Sequence, residues 1–176
     1  MGVVRPINDD QVNAACALGP DEATLKDALS RLASGLTLIT CWDNGAPRGL
    51  IATSLIGLSV EPPRLLFSVR HQASAHDALL RDGRYAATIL STSDLAEAER
   101  FANAASAAER FCSSDWRLDD PFAPRFAGGL ASFDLRTEHR IGADTHTIFI
   151  AEVLEVSTRR GPPLVYFERT FASLAG

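Results

Sequence analysis

Apolar and polar positions along this chain follow two periods. After Asp21, the residues Leu25, Ala28, Leu29 and Leu32 recur at spacings of three and four. That spacing predicts a helix with an apolar stripe against a core, closed at Ser34-Gly35. Residues 36–42 (LTLITCW) are rich in β-formers, and Asp43-Asn44-Gly45 supplies turn chemistry before the next strand, so the two strands are expected to pair as a hairpin. Residues 49–60 read as one β-run ended by Pro62-Pro63, and residues 64–69 as a second strand. A short helix is expected from Ser74 through His76, Ala78, Leu79 and Leu80 to a stop at Asp82-Gly83. Residues 84–90 then read as a strand and 93–101 as a helix that 106–111 extends or repeats. Residues 131–140 and 146–156 are strands around a turn at 141–145, and a last strand spans 164–171.

Six or seven strands with few helices, and no regular strand-helix alternation, argue against a parallel doubly wound sheet. The expected fold class is mainly β (α+β): an antiparallel barrel or sandwich with peripheral helices. Residues 1–20 lack periodicity and end at Gly19-Pro20, so they are read as an N-terminal arm, with 21–176 as a single domain. Residues 112–129 carry two prolines and paired glycines, and are expected to form a long ordered loop pinned by Trp116, Phe122 and Phe126.

Composition narrows the class of partner. With 46% hydrophobic and 22% charged residues the chain is globular, and a net charge of −5 gives no footprint for nucleic acid. The three cysteines, Cys16, Cys41 and Cys112, have no metal-ligand spacing and an odd count, so they are read as reduced thiols of a cytoplasmic protein. Two aspartates stand where a secretory apolar region belongs, and Pro6 stands where myristoylation needs Ser or Thr. No apolar run approaches the roughly 20 residues of a membrane helix, so no membrane partner is expected.

Candidate chemistry concentrates between Arg48 and His76. Ile51-Ala52-Thr53-Ser54 mixes small side chains with two hydroxyls, which lets a ligand approach the backbone and find donors. Arg70 to His76 is a strand end, a polar turn and a helix start, an order that gathers a cation, free amides and the Ser74 hydroxyl as an anion such as phosphate requires. The plainer reading is a buried hairpin with an ordinary loop, in which Thr53 and Ser54 are satisfied within their own sheet and Ser74 is a helix N-cap. The chain has no Gly-x-Gly-x-x-Gly and no Gly-Lys-Ser/Thr loop. His71 and His76 are spaced wrongly for one helix face, so no metal site is expected, and Ser54, Asp144 and His146 lack the elbow of a hydrolase.

In order along the chain, LSRLASGLTLITCWDNGAPRGLIATS, LSVEPPRLLFSV, ASAHDALL, the ERF at Glu109 to Phe111, THTIFIAEV and PPLVYFERTF resemble the short-chain flavin reductase family, the reductase components of two-component flavin-dependent monooxygenases. The resemblance runs from about Thr24 to Leu174. It implies an FMN-binding split β-barrel, a Greek-key antiparallel barrel, working as a homodimer. It also implies hydride transfer from NADH or NADPH to FMN or FAD and release of reduced flavin to a partner monooxygenase. On the matching positions Ile51, Ala52, Thr53 and Ser54 lie along the isoalloxazine and ribityl chain. Arg70, Ser74, Ala75 and His76 lie near the flavin phosphate, His146 faces the nicotinamide, and Tyr166 and Phe171 close the pocket. Ile51 departs from the family's usual threonine, Arg70 from asparagine and Ala151 from glycine. The lost hydroxyl at 51 removes a hydrogen bond worth about 0.5–1.5 kcal/mol.

Beside these roles stand plainer ones: His146 as a strand-end histidine bonded to its neighbours, and Tyr166 and Phe171 as core aromatics. Arg70, Arg159 and Arg160 are the cations available to a 2′-phosphate of NADPH. The alternative activity is a non-catalytic flavin-binding or carrier protein on the same fold, with a haem- or pyridoxal-type ligand binder more remote.

Overall fold

A computed structural model describes residues 19–103 and 106–174. The expected arm over residues 1–20 lies outside the described residues except for Gly19 and Pro20. Helix α1 (Glu22–Ser30) opens where Asp21 accepts from the Thr24 amide at 3.0 Å. It is followed by β1 (Ser34–Gly35), β2 (Thr37–Asp43), β3 (Ala46–Ala52), β4 (Ile56–Ser59), β5 (Arg64–Arg70), α2 (His76–Asp82) and β6 (Arg84–Ile89). A 3₁₀ turn (Thr92–Asp94) leads into α3 (Leu95–Asn103) and α4 (Ala107–Arg110). The chain ends with the short pair β7 (Trp116–Arg117) and β8 (Arg125–Phe126), the long strands β9 (Ala131–Ala143) and β10 (His146–Thr158), then β11 (Leu164–Phe167) and β12 (Thr170–Ser173).

Seven strands form one antiparallel sheet in the order β3-β2-β6-β9-β10-β5-β4. The edge strands β3 and β4 are consecutive in sequence and separated by only residues 53–55. The four residue steps from Ala52 to Ile56 span at most about 14 Å. The sheet must therefore curl until its two edges are neighbours. Ser54 bridges the gap: its hydroxyl donates to the Ser68 carbonyl and accepts from the Ser68 amide on β5, both at 3.1 Å.

Strand alternation divides the interior into two cores. Ile39 and Cys41 of β2 face a core with Phe67, Tyr85, Leu135 and Phe149, where Phe67 and Phe149 stack at 5.1 Å. Leu36 and Leu38 face a second core with Leu90, Phe101, Phe111, Trp116, Phe126 and Leu164. Burial pushes the Cys41 thiol up to about 12, which makes it a neutral core group rather than a nucleophile. The 112–129 segment is pinned as expected at Trp116 and Phe126, and Trp116 Nε1 donates to the buried Glu97 at 2.7 Å. The guanidinium groups of Arg84 and Arg125 lie 5.9 and 5.8 Å from the Phe122 ring centre.

Four local expectations change. The α1 stripe does not pack on a core of its own chain, since Leu25, Leu29 and Leu32 are 47%, 61% and 66% exposed. Gly35 does not cap that helix, because it pairs with Val165 in a small sheet of β1, β11 and β12. The run at 49–60 is two strands on opposite edges, and the run at 164–171 is a hairpin that turns at Glu168 and Arg169, both with positive φ. The first hairpin forms as expected, with Asn44 and Gly45 both in the left-handed region that a two-residue turn requires.

Candidate functional site

The curl leaves a cleft with two lobes that share Leu50, Ile51, Thr53 and Ala73 as their common wall. The first lobe, about 490 Å³, lies between the end of β3, the end of β5 and His146 at the start of β10. The second, about 410 Å³, is walled by Phe101, Tyr166 and Phe171 and carries Ser74 and Arg110 at its polar end. Each is within the size range of small-molecule sites.

Sequence makes the second lobe through the ERF segment. Ser106 and Glu109 cap α4 reciprocally, Ser106 N–H to Glu109 at 3.1 Å and Glu109 N–H to the Ser106 hydroxyl at 3.3 Å. Phe111 enters the aromatic core beside Phe101 and Trp116. Arg110, held between them, donates from Nη1 to Ser74 Oγ at 2.9 Å and to the Gly49 carbonyl at 3.4 Å. Gly49 is closely packed there, since an added Cβ would stand 3.0 Å from the Phe101 ring. A hydroxyl and a guanidinium at one polar end suit a phosphate or carboxylate. Arg110 was not singled out from the sequence, although the ERF that contains it was.

Thr53 is exposed and, like Ile51, lines both lobes, while Ala52 and Ser54 line the first. The Ser54 hydroxyl is committed to Ser68, as the plainer sequence reading holds. Ser74 is no N-cap; Ala75 occupies that position without a side-chain bond. Arg70 lines the first lobe, sits directly across the ladder from His146, and its guanidinium has no hydrogen bond or ion pair among the described residues. Ala75 and His76, expected beside the phosphate, direct their side chains into the main core, at 0% and 6% exposure, because α2 must bury that face against β2 and β10. His146 is half-buried in the first lobe and its Nδ1 is 2.8 Å from the Thr145 hydroxyl. Tyr166 and Phe171 are a cross-strand pair with rings 5.8 Å apart. Arg159 lies in a different cavity, bonded to the Ala127 carbonyl, at the far end of β10 from His146. Among the described residues no cluster of three or more His, Cys, Asp or Glu is placed to hold a metal ion. Nor is any helix among them long and apolar enough to cross a membrane.

A mostly β protein with a two-lobed cleft along the seam of a curled antiparallel sheet is thereby defined. Residues 29–175 match the family described as flavin reductase like domain, and the chain belongs to that family. It is 32% identical over 151 residues to an FMN reductase (NADH), RutF, of Stutzerimonas stutzeri, covering 85% of this chain and 87% of that protein. Among solved structures it is similar to BorF, the flavin reductase component of a bacterial two-component tryptophan halogenase, at 27% identity and TM-score 0.80, covering 89% and 99% of the two chains. It is also similar to the NADH:FAD oxidoreductase SgcE6 of Streptomyces globisporus, in complex with NAD and FAD fragments, at 25% identity and TM-score 0.81, covering 88% and 93%.

Proposed function

We propose that this chain is an NADH-dependent flavin reductase that passes reduced flavin to a partner oxygenase. The observation that carries the reading is the cleft itself, with Arg110 and Ser74 joined at one end and His146 facing the other across a shared wall. Similarity to known proteins supports it: the RutF relative is an FMN reductase (NADH), and BorF is the flavin reductase component of a two-component tryptophan halogenase.

The chain's residues fit a flavin in a definite orientation. Ser74 and Arg110 take the phosphate, the backbone of Ile51, Ala52, Thr53 and Ser54 runs beside the ring system, and Tyr166 with Phe171 walls the remaining length. Flavin, when bound, supplies the hydride acceptor, so the protein's work is to orient two rings and to exclude other geometries. Arg70 and His146 face the space left for the nicotinamide, where Arg70 offers a cation to the dinucleotide phosphates and His146 a ring or a hydrogen bond to the carboxamide. NADPH remains a co-substrate of the same reading, with Arg70 rather than Arg159 at the cleft.

The curled sheet is read as the split barrel of FMN-binding proteins, which the short link at 53–55 and the Ser54 bridge support. Residues 21–176 form its single domain, and a cytoplasmic location suits its freely diffusing substrates. A second copy of the chain covers the apolar surface of α1 and of the β4 edge, where Leu29 and Ile56 are 61% and 56% exposed.

NADH oxidation followed at the nicotinamide absorbance with FMN, FAD or riboflavin tests the activity. Turnover with at least one flavin is expected. Flavin binding without turnover by either nicotinamide assigns the chain as a carrier instead.

A further inference from the structure

The tip of the β9–β10 hairpin, which presents His146, is held by more than strand pairing. The His71 amide donates to the Thr145 carbonyl at 2.9 Å, and His76 Nε2 lies 2.9 Å from Thr147 Oγ1. The two attachments flank His146 on either side. Both come from the segment that also carries Ser74.

His76 and Thr147 are 6% and 7% exposed, so their bond is made out of water. Nδ1 of His76 lies 3.0 Å from an Asp77 carboxylate oxygen, which can only accept, so that nitrogen carries hydrogen. Nε2 then accepts from the Thr147 hydroxyl. The ring also packs against His71 at 4.9 Å and edge-on to Phe149 at 6.4 Å. Around this pair the core is apolar, with Val69, Ala78, Leu79 and Phe149 buried. An apolar pair of the same shape serves stability as well as a buried polar pair does, so stability alone does not call for the bond.

Consecutive strand residues point to opposite faces. Thr147 therefore faces the core and α2, while His146 faces the cleft. A bond that fixes the Thr147 side chain fixes the rotation of the strand about its axis, and with it the direction of the His146 side chain.

We propose that His76 is a positioning residue: through Thr147 it sets the angle at which His146 meets the nicotinamide, and it ties that wall of the cleft to the turn that holds the flavin phosphate. This rests on the reading that His146 contacts the nicotinamide.

The test uses the full chain with five variants: Thr147→Val, Thr147→Ser, His76→Leu, His76→Gln and His146→Ala, with the Thr147→Val/His146→Ala double. Thr147→Val keeps the shape and removes the hydroxyl, while Thr147→Ser keeps the hydroxyl. His76→Gln places an amide where Nε2 stood. Steady-state NADH kinetics, FMN affinity by fluorescence and Tm are measured for each. Thr147→Val and His76→Leu are expected to change KM or kcat for NADH by about 3- to 10-fold with FMN affinity within about twofold, and Thr147→Ser and His76→Gln to recover most of the loss. In the His146→Ala background Thr147→Val adds less than about twofold, since the residue it positions is gone. Unchanged NADH kinetics in Thr147→Val, beside a clear loss in His146→Ala, overturns the proposal and spares the reading of His146. A Thr147→Val effect of full size in the double variant also overturns it, as a merely structural role. No effect of His146→Ala removes the reading of His146, and the proposal with it.

Discussion

Arg110 and Ser74 stand 36 positions apart in sequence and meet at 2.9 Å, a guanidinium donating to a hydroxyl at the polar end of an otherwise largely apolar lobe. Two elements with no strand pairing between them, the α4 turn and the loop before α2, are brought to one point. The two groups together are the proposed anion seat, which neither element offers alone.

Removing the cation is therefore expected to cost more than removing the hydroxyl. Arg110→Ala is expected to weaken FMN by about 10- to 100-fold, the range of a hydrogen bond to a charged group, and Ser74→Ala by about 2- to 10-fold. Riboflavin, which lacks the phosphate, is expected to change little in either variant. Fluorescence titration with both flavins checks this, and an equal loss for both moves the seat away from the phosphate.

His146 is expected to act on the nicotinamide rather than on the flavin. His146→Ala raises KM for NADH or lowers kcat while the FMN dissociation constant stays within about twofold, or about 0.4 kcal/mol. Steady-state kinetics and flavin titration on the same preparation separate the two ligands. A collapse of flavin affinity with unmoved nicotinamide parameters assigns the histidine to the other ligand.

Much of this architecture was legible in the residues. The Asn44-Gly45 turn, the strand at 64–69, the Gly83 stop and the THTIFIAEV strand follow from local chemistry, and the structure contains each. The break between β3 and β4 was not legible, because Thr53, Ser54 and Leu55 suit a strand locally and only the closing of the sheet bends them. The turn at Glu168-Arg169 was hidden for a related reason: neither residue is a usual occupant of positive φ, and the pairing of Tyr166 with Phe171 imposes it. In the site, the Arg70 to His76 segment was visible as strand end, polar turn and helix start. Arg110 was not, since its contact with Ser74 is tertiary. The α1 stripe was read correctly as apolar and wrongly as buried within the chain. Periodicity reports that a face wants cover, not whose surface provides it.

That exposed face carries the prediction for assembly. Leu25 and Leu29 of α1 are exposed, and a double Leu25→Glu/Leu29→Glu variant is expected to sediment as a monomer at micromolar concentration if a second copy covers them. An unchanged sedimentation coefficient for wild type and variant, both monomeric, removes the proposed homodimer.

Acid stability is expected to depend on Asp43. Hydrogen bonds from Arg81 and then Arg48 hold its carboxyl below the ordinary value of 3.8. A carboxyl depressed in the folded state stabilises it above the unfolded value, and that contribution fades as pH falls through the lower, folded value. Tm against pH for wild type and Asp43→Asn should thus differ most above about pH 4 and converge in stronger acid. Curves that run parallel throughout place the acid sensitivity elsewhere.

Ser54, in the link between the two edge strands, is tied to β5 by donating to and accepting from Ser68. Ser54→Ala loses both bonds and is expected to cost about 1–3 kcal/mol, read from denaturant unfolding. A loss below about 0.5 kcal/mol means that water replaces the hydroxyl at the seam.

The link at 53–55 is short. Three residues carry the chain from one edge of a seven-stranded sheet to the other, so the width of the seam is set by a covalent tether and not by side-chain packing alone. Each residue inserted there lengthens the tether by up to about 3.3 Å, close to the thickness of one aromatic ring. A lengthened link is expected to widen the seam and loosen the proposed fit of flavin against nicotinamide. The calibre of the cleft is thus written in the spacing between Ala52 and Ile56, and the residues between them act as a gauge as well as a wall.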